Sequence, residues 1–277
     1  AWMVAGSIPV ESIADEVRPE IAKSESSAGV SKVYMLKDIT PQNMIRLYDA
    51  LGRKAKGKVA VKLSTGEPGG HNFLQPTLIK DLVKKVNGTI VECNTAYGGG
   101  RADTDSHLDY DFTVVLSHFK GHAMGGFGGA LKNISIGIAS SAGKAWIHTA
   151  GKTKTDLWNN LPEQDHFLES MAEAAKAVTT HCGENILYIS VMNRLSVDCD
   201  CDSNPEEPKM ADIGMLASLD PVALDKACVD LVYASPDPGR VHLIERMESR
   251  HGIHIVEHAE ALGMGSQRYD LVSLDDK

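Results

Sequence analysis

The sequence predicts an α/β protein of two lobes, each with a mainly parallel sheet flanked by helices, and a cleft between them. Short β-rich runs alternate with longer runs whose apolar residues recur at helical spacing. Residues 58–94 read as strand, helix, strand, an order that favours parallel pairing. The 277 residues suffice for one large core or two modest ones. The expected boundaries are an N-terminal extension at 1–30, a first lobe at 31–108 and a second lobe at 109–277.

In chain order, 32–36 (KVYML) and 58–63 (KVAVKL) are expected strands. Between them, Met44, Ile45, Leu47 and Leu51 mark a helix, with Thr40 as N-cap and Pro41 in the first turn. A helix is expected at 74–86 and strands at 89–93 and 112–117. Phe167, Leu168, Met171, Ala174, Ala175 and Val178 carry a long helix over 164–181. A strand at 185–192 follows, then a helix over 220–233 opening at Asp220 and Pro221, a helix over 241–250 and a strand at 269–274.

The formal net charge of −9 argues against nucleic acid as a partner, because a phosphate backbone asks for a basic face. No run approaches the roughly 18 apolar residues of a membrane span. Cys93, Cys182, Cys199, Cys201 and Cys228 make an odd count, which speaks against a closed disulfide framework. Free thiols favour a cytoplasmic location. Residues 1–9 are mildly apolar without a basic lead; read as a signal remnant, they imply export.

Ligands in such folds sit at the carboxyl ends of strands. Three loops leave such ends. The first, 64–72, offers Ser64, Thr65 and three glycines as an anion cradle, with Lys62 just before it; the bland alternative is a flexible turn. The second, 94–103, holds Tyr97, Gly99 and Arg101, whose fork of donors suits carboxylate or phosphate. The third, 118–133, sets His118, Lys120, His122, Gly128, Gly129, Lys132 and Asn133 after an apolar strand. Glycine is costly to order, so this density suggests backbone pressed against something. His118, His122 and Lys120 are the expected catalytic groups, imidazole serving as proton carrier. Lys62, Ser64, Thr65, Tyr97, Gly99, Arg101, Gly128, Gly129, Lys132 and Asn133 are the expected cofactor contacts.

A fourth feature is Asp198-Cys199-Asp200-Cys201-Asp202. Two sulfurs among carboxylates suit a soft or borderline metal, but a four-ligand site needs groups from elsewhere. The surrounding acid is expected to raise the thiol pKa values and so to disfavour a nucleophilic cysteine. His251, His254 and His258 gather at helical spacing and read as a surface feature rather than a metal site.

The runs GKVAVKLSTGE (57–67), GTIVECNTAYGGGR (88–101), 118–152 and 197–231 resemble the DUF362 family, many of whose members are described as iron–sulfur-centre proteins. The ferredoxin-like insert C-x2-C-x2-C-x3-C-P of many members has no counterpart here. A more distant resemblance is to lactate racemases, which use a nickel-pincer nucleotide. It rests on His122, on Gly128-Gly129-Ala130-Leu131-Lys132, and on His148. That resemblance implies His122 as acid/base, Lys132 as the attachment point and His148 as a metal ligand. The cofactor expectation is thus a metal ion, with an iron–sulfur cluster or nickel as candidates. The expected ligand is a small anion, and a homodimer is one expected assembly. Three functions compete: a redox or isomerase-type enzyme, a metal or iron–sulfur electron carrier, and a ligand-binding protein without chemistry.

Overall fold

The computed structural model describes residues 30–66, 69–93 and 110–275. Among these, nine strands and eight helices follow one another. The strands are β1 (Ser31–Leu36), β2 (Val59–Lys62), β3 (Gly88–Val91), β4 (Phe112–His118), β5 (Lys120–His122), β6 (Gly126–Gly128), β7 (Ile186–Met192), β8 (Gly214–Ser218) and β9 (Tyr269–Ser273). The helices are α1 (Pro41–Ala50), α2 (Pro76–Lys85), α3 (Ala130–Ile134), α4 (Ser141–His148), α5 (Gln164–Cys182), α6 (Pro221–Ala234), α7 (Arg240–Glu248) and α8 (His254–Ala261).

Seven strands form one sheet in the order β3-β2-β4-β7-β8-β1-β9, and β5 and β6 form a separate hairpin. The β3-β2-β4-β7 half is parallel throughout. β8 runs antiparallel to both β7 and β1, and β9 is parallel to β1. The mainly parallel α/β expectation therefore holds. The sheet is single, however, and not one per lobe. β1, from 31–108, pairs with β8 and β9, while β2 pairs with β4, so strands from both expected lobes interleave.

Alternation along the strands explains why both faces are covered. In β7, Ile186, Tyr188 and Met192 enter one core; Leu187, Ile189 and Val191 enter the other. The first core lies under α3, α5, α6, α7 and α8, and the second under α1 and α2. A sheet buried on both faces reads as a nearly continuous apolar run, as β4 and β7 do.

The caps follow the sequence. Thr40 accepts from the Asn43 N–H at 3.2 Å and Pro41 opens α1. Asp220 accepts from Val222 and Ala223 at the start of α6 and also holds Ser31 and the Ser266 N–H, tying the start of β1 and the approach to β9 to one carboxylate. α2 begins two residues later than expected because Pro76 keeps Gln75 extended. No helix among the described residues is long and apolar enough to cross a membrane.

Candidate functional site

The parallel half of the sheet sets the site. β2, β3, β4 and β7 end on one edge, and a cavity of about 600 Å³ opens over it. It lies over the carboxyl ends of one sheet rather than between two sheets. Of the expected residues, Lys62, Ser64, His118, Lys120, His122, Gly128, Gly129, Lys132, Asn133, His148, Cys199 and Cys201 all line it. Thr65 does not. Tyr97, Gly99 and Arg101 lie outside the described residues.

Two glycines explain how the distant segments meet. A Cβ on Gly121 would collide with the Val197 backbone, and Gly121 N–H donates to the Ser196 carbonyl at 2.8 Å. This close approach docks the 198–202 loop against the hairpin. A Cβ on Gly129 would collide with the Asp225 carboxylate. Asp225, fully buried on α6, accepts the N–H groups of Ala130 and Leu131 at 2.7 and 2.9 Å. It thereby holds the start of α3, which carries Lys132. Burial pushes its pKa up to about 7, against those two hydrogen bonds.

The expected catalytic groups divide. His118 is enclosed: its Nε2 donates to the Asn193 carbonyl at 2.6 Å, and its Nδ1 meets Asp200 at 2.9 Å. Lys120 Nζ lies 2.8 Å from the same carboxylate and donates to the His118 carbonyl. Burial alone would raise Asp200, but Lys120 and His118 hold it well below the carboxylate range. Burial likewise opposes the Lys120 ammonium, and Asp200 more than restores it. The three form a buried brace, and both ring nitrogens of His118 are engaged by protein groups, so neither is free to exchange a proton with a ligand.

His122 differs. Its Nδ1 accepts the N–H groups of Met124 and Gly125 at 3.2 and 3.0 Å, which places the ring hydrogen on Nε2. Cys199 interacts with this imidazole. Burial, then the charge of Lys132, keeps His122 neutral to lower pH than an ordinary histidine. The Cys199 sulfur also takes the Cys201 backbone N–H at 3.2 Å. A hydrogen bond from the Cys201 thiol, overcoming burial and aided by Lys132 and His122, pulls Cys199 well below an ordinary thiol; giving that bond pushes Cys201 up. The expectation of two thiols raised by nearby acid fails for Cys199, because Asp200 is turned inward to His118 and Lys120.

The expected metal set changes membership. His122, Cys199 and Cys201 bring ligand atoms within 4.8 Å of one another, and His148 does not join them within that distance. His148 donates from Nδ1 to the Lys144 carbonyl at 2.7 Å and stacks on Phe167, leaving Nε2 with its lone pair. Burial depresses it to about 4.

Other expected cofactor contacts meet the protein's own groups. The anion cradle at 64–72 is answered by the chain's own Glu92, whose carboxylate takes the Thr65 N–H at 2.7 Å and Lys62 Nζ at 3.0 Å. Burial lowers the Lys62 ammonium even so. Asn133 donates to the Leu116 carbonyl and Ser117 Oγ, bracing the end of β4. Sequence reasoning did not single out Lys144, Cys93 or Trp158 as site residues, yet all three line the cavity. Cys93 is the last residue of an expected strand, at its carboxyl end, which was the available signal.

The fold and the cavity define an α/β protein with its candidate site at the carboxyl edge of a parallel half-sheet. One segment, residues 104–230, matches the family model DUF362, described as a domain of unknown function. It contains the hairpin, Lys132, His148 and the Cys199–Cys201 loop. The match does not extend to the iron–sulfur or lactate racemase resemblances. Comparisons with curated proteins and with solved structures return no match.

Proposed function

We propose that the chain is an enzyme of the isomerase type, which draws a small anion into the cavity and moves a proton on it. The observation that carries this reading concerns four lysines. Lys62 and Lys120 are paired with Glu92 and Asp200. Lys132 and Lys144 line the same cavity, and neither ammonium has an ion-pair or hydrogen-bond partner among the described residues. Two unpaired cations in a chain of net charge −9 supply an attraction that a small carboxylate or phosphate would satisfy. Cys199 as base and the Nε2–H of His122 as acid stand at the reacting end, within the same enclosure.

Inorganic phosphate and malonate are the probes. Each should raise the unfolding midpoint of the intact chain, by about 2.7 kcal/mol of stability at a hundredfold excess over Kd. The rise should vanish in K132A/K144A, and solvent deuterium should appear in a turned-over carboxylate only when Cys199 is present. No stabilisation by either anion, or an equal one in the double variant, rejects the reading.

A second reading rests on the 4.8 Å grouping of His122, Cys199 and Cys201. Two thiols and one imidazole fit a single soft or borderline ion with an open fourth position. They fall short of the four protein ligands of an ordinary iron–sulfur cluster. Such an ion, when bound, supplies Lewis acidity; His122 would first give up the Nε2 hydrogen. Metal analysis and visible absorption of freshly purified protein separate the two readings.

A further inference from the structure

Away from the cavity, a ladder of imidazoles and carboxylates joins α5 to the turn before α8 and to α8 itself. Asp165, Glu169 and Glu173 recur every four residues on α5 and so share a face. Opposite them stand three histidines. His251 Nδ1 is 2.7 Å from Asp165, His254 Nε2 is 3.3 Å from Glu169, and His258 Nε2 is 3.9 Å from Glu173. The rings of His251 and His254 stack 5.1 Å apart.

We propose that Asp165, His251 and His254 form a binding site for a divalent transition-metal ion of the zinc class, which cross-links α5 to α8. The three residues each offer a ligand atom, and these atoms all lie within 4.8 Å of one another. Two imidazoles and a carboxylate are a set such ions take, with the remaining position left to water. Glu169 and Glu257 flank the His254 ring at 3.3 and 3.5 Å, so one of them is in place to orient it as an outer-sphere partner. His251 sits at a φ of +48°, a region that side-chain-bearing residues seldom adopt. That conformation turns its ring onto Asp165. The ion pairs alone would stabilise little, because His251 and Asp165 are each about half exposed. The same exposure gives an ion a way in.

The site stands behind the cavity wall. Gln164, next to Asp165, donates to the Met124 and Arg250 carbonyls, both at 2.8 Å. Gly126, in the hairpin, lies against Gly252 and the Met247 carbonyl with no room for a side chain. The 247–254 turn is thus the rear support of the β5–β6 hairpin, and a bound ion would stiffen it. This inference does not depend on the proposed function of the cavity.

The test uses Zn2+ and Co2+ on the full chain. C199S/C201S removes the competing thiols, and wild-type protein alkylated at its cysteines serves as a parallel sample should that variant not fold. Calorimetry should find one Zn2+ per chain in either sample. The Co2+ adduct should show d–d bands without thiolate charge transfer. In the same thiol-free background, Asp165→Asn and His254→Ala should each weaken Zn2+ binding at least about tenfold while far-ultraviolet dichroism is unchanged. Absence of Zn2+ binding in the thiol-free samples, or binding unaltered by both substitutions, overturns the proposal.

Discussion

The backbone N–H of Cys201 points at the sulfur of Cys199 from 3.2 Å, which makes one cysteine of the pair the acceptor and the other the donor. The two thiols, two residues apart, are therefore chemically unlike. In chelator-treated protein, alkylation by iodoacetamide at about pH 7, below the ordinary thiol pKa, should mark Cys199 ahead of Cys201. Cys201→Ser keeps a donor and should retain most of that reactivity, whereas Cys201→Ala should lower it. Peptide mass mapping after short exposure reads the outcome, and equal labelling of both would count against the asymmetry.

Asp200 should be a major support of the fold. Asp200→Asn leaves the Lys120 ammonium buried without its counter-charge, a change that typically costs about 3–5 kcal/mol. Urea unfolding at neutral pH measures it. Because the folded carboxylate is held below its unfolded value, the stability it contributes is full above the ordinary carboxylate range. It is lost as pH falls below that range, and the Asn variant should lack this acid-side decline.

His148 should remain neutral until about pH 4, well below an exposed histidine. Its lowered folded value means that its contribution is intact above the usual imidazole pKa and is lost as pH falls through about 4. Carbon-13 NMR of the labelled ring follows the titration directly. A midpoint near that of an exposed histidine would show that the Lys144 and Phe167 contacts do not hold in solution.

Asp225 should give the opposite slope. Its folded value of about 7 lies above the unfolded one, so its contribution is full below the ordinary carboxylate range and declines as pH rises through about 7. Denaturant midpoints of wild type and Asp225→Asn should therefore converge between mildly acidic and mildly basic buffer. The Asn variant should also weaken anion binding, since an amide cannot accept both N–H groups as the carboxylate does and the start of α3 carries Lys132.

Much of this architecture was legible in the residues. The β2-α2-β3 unit, the apolar run of β4 and the capped starts of α1 and α6 follow from spacing and caps. The carboxyl-end rule pointed to Ser64 and to the 118–133 loop, which line the cavity, and to the 94–103 loop, which lies outside the described residues. What stayed hidden was mostly short or distant. β5 and β6 have three residues each, too few for any periodicity. β8 is five residues, all buried, and opens at Gly214 with φ +145°, so it shows no alternation. Asp200 read as one of three acids interleaved with the cysteines because its partners sit some eighty residues earlier. The glycine density did signal close approach, but only the fold reveals that Gly121 meets Val197 and Gly129 meets Asp225.

The place of β1 in the sheet has a bearing on synthesis. β2, β3, β4 and β7 can pair as soon as residue 192 has been made. β1, the first strand among the described residues, hydrogen-bonds within them to β8 and β9, and β9 ends at residue 273. During translation β1 must wait until residue 218 has been made before it can pair with β8, and until β9 follows, one edge of that early strand stays open. A nascent chain arrested before residue 269 should leave that strand open to chaperones and proteases, although the half-sheet bearing the cavity has already formed.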